Sequence, residues 1–123
     1  MMSMREQFEI EGFVKQSAFF NGGRLAAVES ELTAFVENEL FILPAEHVFF
    51  EDKADPDSLK QIQRLQEYST FFAELMDGKP RKLAEELLGE SVVGKNLQYF
   101  NKPPGFGKFT PPHQDAYYFM IEP

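Results

Sequence analysis

The chain has 123 residues, 43% of them hydrophobic and 15% aromatic, enough for one folded domain with a real core and too apolar for a disordered one. Cysteine is absent, which excludes disulfides, thiolate metal sites and a cysteine nucleophile. A formal charge of -8 and a pI near 4.7 argue against nucleic acid and anionic membrane surfaces as partners.

The first residues, Met1 to Glu6, lack the apolar core of a signal segment, and no apolar run approaches a membrane span, so a cytoplasmic location is expected. Met4 to Glu11 reads as a short amphipathic helix with Phe8 inward, and Gly12 suits the left-handed position past its end. Phe13-Val14-Lys15 reads as a short strand, and Asn21-Gly22-Gly23 as a turn and cap. From Arg24 to Glu39, Leu25, Val28, Leu32, Phe35 and Val36 fall on one helical face. His47 to Glu51 reads as a strand and Asp52 to Asp57 as a polar loop. Asp57 or Ser58 is then placed to cap a helix over Leu59 to Met76, with Leu59, Ile62, Leu65, Phe72 and Met76 inward. Asp77-Gly78 breaks that helix. Pro80 suits the first turn of another, which Gly89 ends.

Beyond Gly89 the character changes. Ser91 to Phe100 reads as one or two strands, and the proline-rich stretch Asn101 to Pro112 as an irregular loop. His113 then starts a strand that continues through Ala116 to Ile121. There is no internal repeat and no linker. The expected architecture is α+β, a single domain over 1–123, helical to about residue 90 and opening into a sheet over about 91–123.

The chemistry concentrates at His113-Gln114-Asp115. Residues two apart on a strand share a face, so one imidazole and one carboxylate would project together. That is two thirds of the 2-His-1-carboxylate set that binds Fe(II) on one face and leaves positions open. On its own H-x-D has a bland reading too, a histidine ion-paired to its neighbour. Other motifs fail on spacing. Gly105-Phe106-Gly107-Lys108 is not followed by a helix as a phosphate loop requires. The aspartates at 52, 55 and 57 lack the glycine and closing glutamate of a calcium loop.

The stretch Gln98-Tyr99-Phe100-Asn101-Lys102-Pro103-Pro104-Gly105, then Gly107-Lys108 and Pro112-His113-Gln114-Asp115 with the aromatics after it, resembles the phytanoyl-CoA dioxygenase family. Looser agreement runs upstream through Gln7-Phe8, Gly12-Phe13-Val14, Lys60 to Gln63 and Leu88-Gly89. The resemblance implies a non-haem Fe(II), 2-oxoglutarate-dependent oxygenase on a double-stranded β-helix, a jelly-roll or cupin-like barrel. It implies His113 and Asp115 as the first two iron ligands and Gln98 as a co-substrate contact. Lys60 or Gln61 falls at an upstream position that also reaches 2-oxoglutarate. Lys102 either attracts a carboxylate or is a solvated loop lysine. Fe(II), 2-oxoglutarate and O2 are the implied cofactors, and a small organic molecule the substrate.

The family's second iron histidine and its 2-oxoglutarate-binding arginine have no match here. The resemblance corresponds to the N-terminal portion of a family member. The expectation is therefore a first part of a longer product, with the barrel incomplete. His47, on a distant strand, is expected to be structural. The alternative is a non-catalytic fragment or interaction module with the same front half. A carboxylate at position 115, where halogenating relatives carry a small residue, favours hydroxylation.

Overall fold

The computed structural model describes residues 1–105 and 107–115. Helix α1 (Met4–Glu11) begins where Ser3 and Glu6 cap each other: the Glu6 amide donates to Ser3 Oγ at 3.1 Å and the Ser3 amide to Glu6 Oε2 at 2.7 Å. Both bonds satisfy amides that a bare helix start leaves unpaired. Gly12, with φ of 82°, closes α1 as expected. No strand follows. Phe13 to Lys15 has no pairing partner among the described residues, and the chain turns through Ala18 in a left-handed conformation instead.

Helix α2 (Gly22–Asn38) starts two residues before the expected Arg24, because Asn21 Oδ1 accepts from the Arg24 amide at 2.7 Å and fixes the cap. Phe35 is buried, with Val28, Leu32 and Val36 half-buried against the core. Leu25, expected inward, lies beyond the core and is largely exposed. Two short 3-10 turns, Leu40–Ile42 and Ala45–His47, lead into strand β1 (Val48–Phe50).

The region read as one helix from Leu59 to Met76 is the main correction. Its first residues form strand β2 (Leu59–Ile62), followed by two short helices, α3 (Leu65–Tyr68) and α4 (Thr70–Asp77). Between β2 and α3, Arg64 takes a left-handed backbone with φ of 59°, and its amide donates to Asn96 Oδ1 at 2.8 Å. Ser69 then caps α4 by accepting from the Phe72 amide. Of the residues expected inward, Leu59, Ile62, Leu65 and Phe72 all belong to the core, whereas Met76 is only half-buried and its neighbour Leu75 is buried instead. Ser58 caps no helix. Fully buried, its hydroxyl accepts from the Asp52 amide at 3.0 Å and lies 2.7 Å from the carbonyls of both Asp52 and Asp55, pinning the β1–β2 connection.

Helix α5 (Lys79–Leu88) has Pro80 in its first turn and Gly89 at φ of 75° past its end. That left-handed backbone is what calls for glycine there, while the Arg5 guanidinium of α1 close beside it is the end of a flexible side chain. Strand β3 is short (Tyr99–Phe100), the only strand formed within Ser91 to Phe100. The three strands form one open antiparallel sheet in the order β1-β2-β3, with two of them upstream of residue 91 and interleaved with helices. His113 and Gln114 lie outside any strand, and the strand expected over Ala116 to Ile121 lies outside the described residues.

The core sits between one face of this sheet and helices α2 and α4. Val48, Ile62 and Tyr99 are cross-strand partners, and all three point into it. Phe35 and Phe72 meet edge to face, 6.4 Å apart at 87°, and join the two helices. Fully burying side chains of this size contributes about 1.5–3 kcal/mol each.

Candidate functional site

The opposite face of the sheet is where candidate co-substrate residues gather. Phe49 pairs with Gln61 and Gln61 with Phe100 across the three strands, so these three share the side away from the core. The pairing slips between Phe49 and Phe50, which faces Leu59, so β2 carries one extra residue, Lys60. Such a bulge suspends strict alternation. Leu59 and Ile62 are buried while Lys60 and Gln61 are both only partly covered. The open choice between Lys60 and Gln61 thus meets a backbone that turns both of them out of the core.

Gln98 and Gln61, distant in sequence, come together here: Gln61 Nε2 donates to Gln98 Oε1. The segment that carries Gln98 is tied to α3 on one side and to β2 on the other. The Leu65 amide donates to the Leu97 carbonyl at 2.9 Å, and Leu97 donates to Gln66 Oε1 at 2.9 Å. The Asn101 amide donates to the Lys60 carbonyl at 2.7 Å. Gln66 and Asn96 thus hold the segment that carries Gln98, and sequence reasoning missed both. Polar residues on a short helix and in an irregular segment give no periodic signal.

Lys60 Nζ lies 3.4 Å from Glu51 Oε1, and Lys108 Nζ 3.9 Å from Glu51 Oε2. The Glu51 side chain is 8% exposed and Lys108 79%, so the second contact is largely solvent-screened and anchors the loop only weakly. Lys102 is exposed in the same loop.

His113 and Asp115 stand together without the expected strand. His113 Nδ1 is 2.9 Å from the Pro111 carbonyl oxygen, and Nε2 is 3.2 Å from Asp115 Oδ1. A carbonyl oxygen only accepts, so Nδ1 carries the hydrogen of that bond. In the neutral ring Nε2 then turns its lone pair toward a carboxylate oxygen, and two electron pairs face each other. A cation shared between them, a proton or a metal ion, relieves that arrangement. The orientation is the one metal-binding histidines adopt, with the second nitrogen donating to a backbone carbonyl. Both side chains are accessible, at 41% and 76%. The donor set fits two ligands of a facial iron site, and no cluster of three or more His, Cys, Asp or Glu occurs among the described residues.

His47 is committed elsewhere, with Nδ1 2.7 Å from the Tyr68 hydroxyl. Among the described residues no helix is long and apolar enough to cross a membrane.

No curated protein and no solved structure matches the chain. The sequence profile of phytanoyl-CoA dioxygenase does match, over residues 8–123, and covers the sheet, the glutamine pair and the His113–Asp115 pair alike. The chain belongs to the phytanoyl-CoA dioxygenase family.

Proposed function

We propose that the protein is a non-haem Fe(II), 2-oxoglutarate-dependent oxygenase that hydroxylates a small organic substrate. The observation that carries this reading is the His113–Asp115 pair: an imidazole oriented by the Pro111 carbonyl, with its other nitrogen facing a carboxylate 3.2 Å away. In this reading β1, β2 and β3 are early strands of a double-stranded β-helix, and residues 1–123 form one domain with α2 and α4 on its outside.

His113 Nε2 and Asp115 would hold the iron. When bound, it would supply the oxidising chemistry, with one atom of O2 going to the substrate and the other to succinate formed from 2-oxoglutarate with release of CO2. The chain's own residues bind and orient. Gln98 and Gln61 lie on the face toward the co-substrate, and Lys60 and Lys102 contribute positive charge that attracts its carboxylates. Asp115 fills the position that a halide would need, so the product is hydroxylated rather than halogenated.

The test is turnover of 2-oxoglutarate by the intact protein with Fe(II), ascorbate and O2, read as succinate by mass spectrometry. Succinate should accumulate with the wild type and fall to the no-enzyme background with Asp115→Ala. A wild type no faster than background, under conditions where the protein is folded and iron-loaded, overturns the reading.

A further inference from the structure

The Gln61–Gln98 pair has a polarity. Gln61 donates its Nε2 hydrogen and Gln98 accepts on Oε1. With its oxygen engaged, Gln98 keeps its NH2 group for whatever meets the pair, and among the described residues Gln98 Nε2 has no hydrogen-bond partner. Reversed, the same two side chains would offer a carbonyl oxygen instead. An amide offering hydrogens receives a carboxylate, whereas one offering oxygen repels it. The cross-strand pairing of Gln61 with Phe49 and Phe100, and the Leu65–Leu97 and Asn101–Lys60 bonds either side of Gln98, hold the two side chains in register.

We propose that Gln61 is a positioning residue that acts through Gln98: it fixes the Gln98 amide with its NH2 toward the site and so selects a carboxylate-bearing ligand there. The inference rests on the oxygenase reading, in which that ligand is the 2-oxo acid co-substrate, and it changes the role of Gln61 from a direct contact to an orienting one. Gln61 touches no ligand in this scheme, so its effect requires Gln98 to be present.

A double-mutant cycle separates the two roles. The wild type, Gln61→Met, Gln98→Met and the double variant are loaded anaerobically with Fe(II) and titrated with 2-oxoglutarate. The visible iron-to-keto-acid charge-transfer band reports binding without turnover, and thermal unfolding checks each fold. Gln61→Met should weaken 2-oxoglutarate binding by about three- to tenfold, the effect of one neutral hydrogen bond, and leave Fe(II) affinity unchanged. In the Gln98→Met background the same change should cost less than about twofold, because the amide it orients is gone. Equal losses in both backgrounds, or none in either, overturn the positioning role while the oxygenase reading stands. A wild type that binds Fe(II) but shows no 2-oxoglutarate binding overturns both. If Gln61→Met does not fold, Gln61→Asn, which keeps an amide too short to reach Gln98, takes its place in the cycle.

Discussion

Ile62 is the residue on which the sheet depends most. It is fully buried at the end of the middle strand, with Val48 on one side and Tyr99 on the other. Truncation to alanine removes three carbons, a transfer loss of about 2.4 kcal/mol at roughly 0.8 kcal/mol each. The cavity left behind adds to it, for a total of about 2–5 kcal/mol. Ile62→Val should cost about 0.5–1.5 kcal/mol. Phe49 is the contrast, on the adjacent strand but the other face and 39% exposed, so part of its surface is already in water. Phe49→Ala should cost less than Ile62→Ala although it removes a larger side chain. Urea unfolding measures all three as a fall in midpoint at constant slope. The reasoning is refuted if Ile62→Ala costs under about 1 kcal/mol, or if Phe49→Ala costs more, because the buried face of the sheet would then be the wrong one.

Two further changes test other parts of the fold. Ser58→Ala removes a buried hydroxyl that serves the Asp52 amide and the carbonyls of Asp52 and Asp55. It should destabilise by about 1–3 kcal/mol, whereas a loss near zero in urea unfolding would mean water replaces the hydroxyl. The Glu6 carboxyl is held below its ordinary pKa by the Ser3 amide first and the Ser3 hydroxyl second. A depressed pKa in the folded state means that the cap's contribution is present above the unfolded value and lost as pH falls through the folded one. The protection of amides at the start of α1, taken relative to intrinsic exchange at each pH, should therefore fall on acidification, and Glu6→Ala should abolish that pH dependence without altering α4. An unchanged profile in Glu6→Ala would show that the cap does not hold the helix end.

What the sequence reveals and what it hides divide along physical lines. The ends of α1, α2 and α5 can be read because Gly12, Asn21, Pro80 and Gly89 each do local work that depends on their own chemistry. Strand β2 cannot. Leu59, Ile62 and Leu65 are three apart, the spacing of a helical face, and the bulge at Lys60 erases the alternation that would have marked a strand. Arg64 adds to the concealment, since a left-handed turn is usually signalled by glycine or asparagine.

At the site, His113 and Asp115 can be paired from sequence because two residues apart is close in almost any extended or turning backbone. His113 and Gln114 lie outside any strand, so the pair's proximity does not depend on strand alternation. Gln61 and Gln98 are joined only through the pairing of β2 with β3, and that register is a product of the core packing on the other face. Lys60 carries a local cue to nothing in particular, and its partner Glu51 is fixed by the β1–β2 pairing.

The central claim is that His113 and Asp115 hold a ferrous ion. Anaerobic titration of the intact wild-type protein with Fe(II), read as metal retained per chain after desalting, tests it most directly. One equivalent should be retained by the wild type and by Lys102→Ala, and next to none by His113→Ala or Asp115→Ala. Iron retained equally by all four proteins, or by none of them while they remain folded, would contradict the claim.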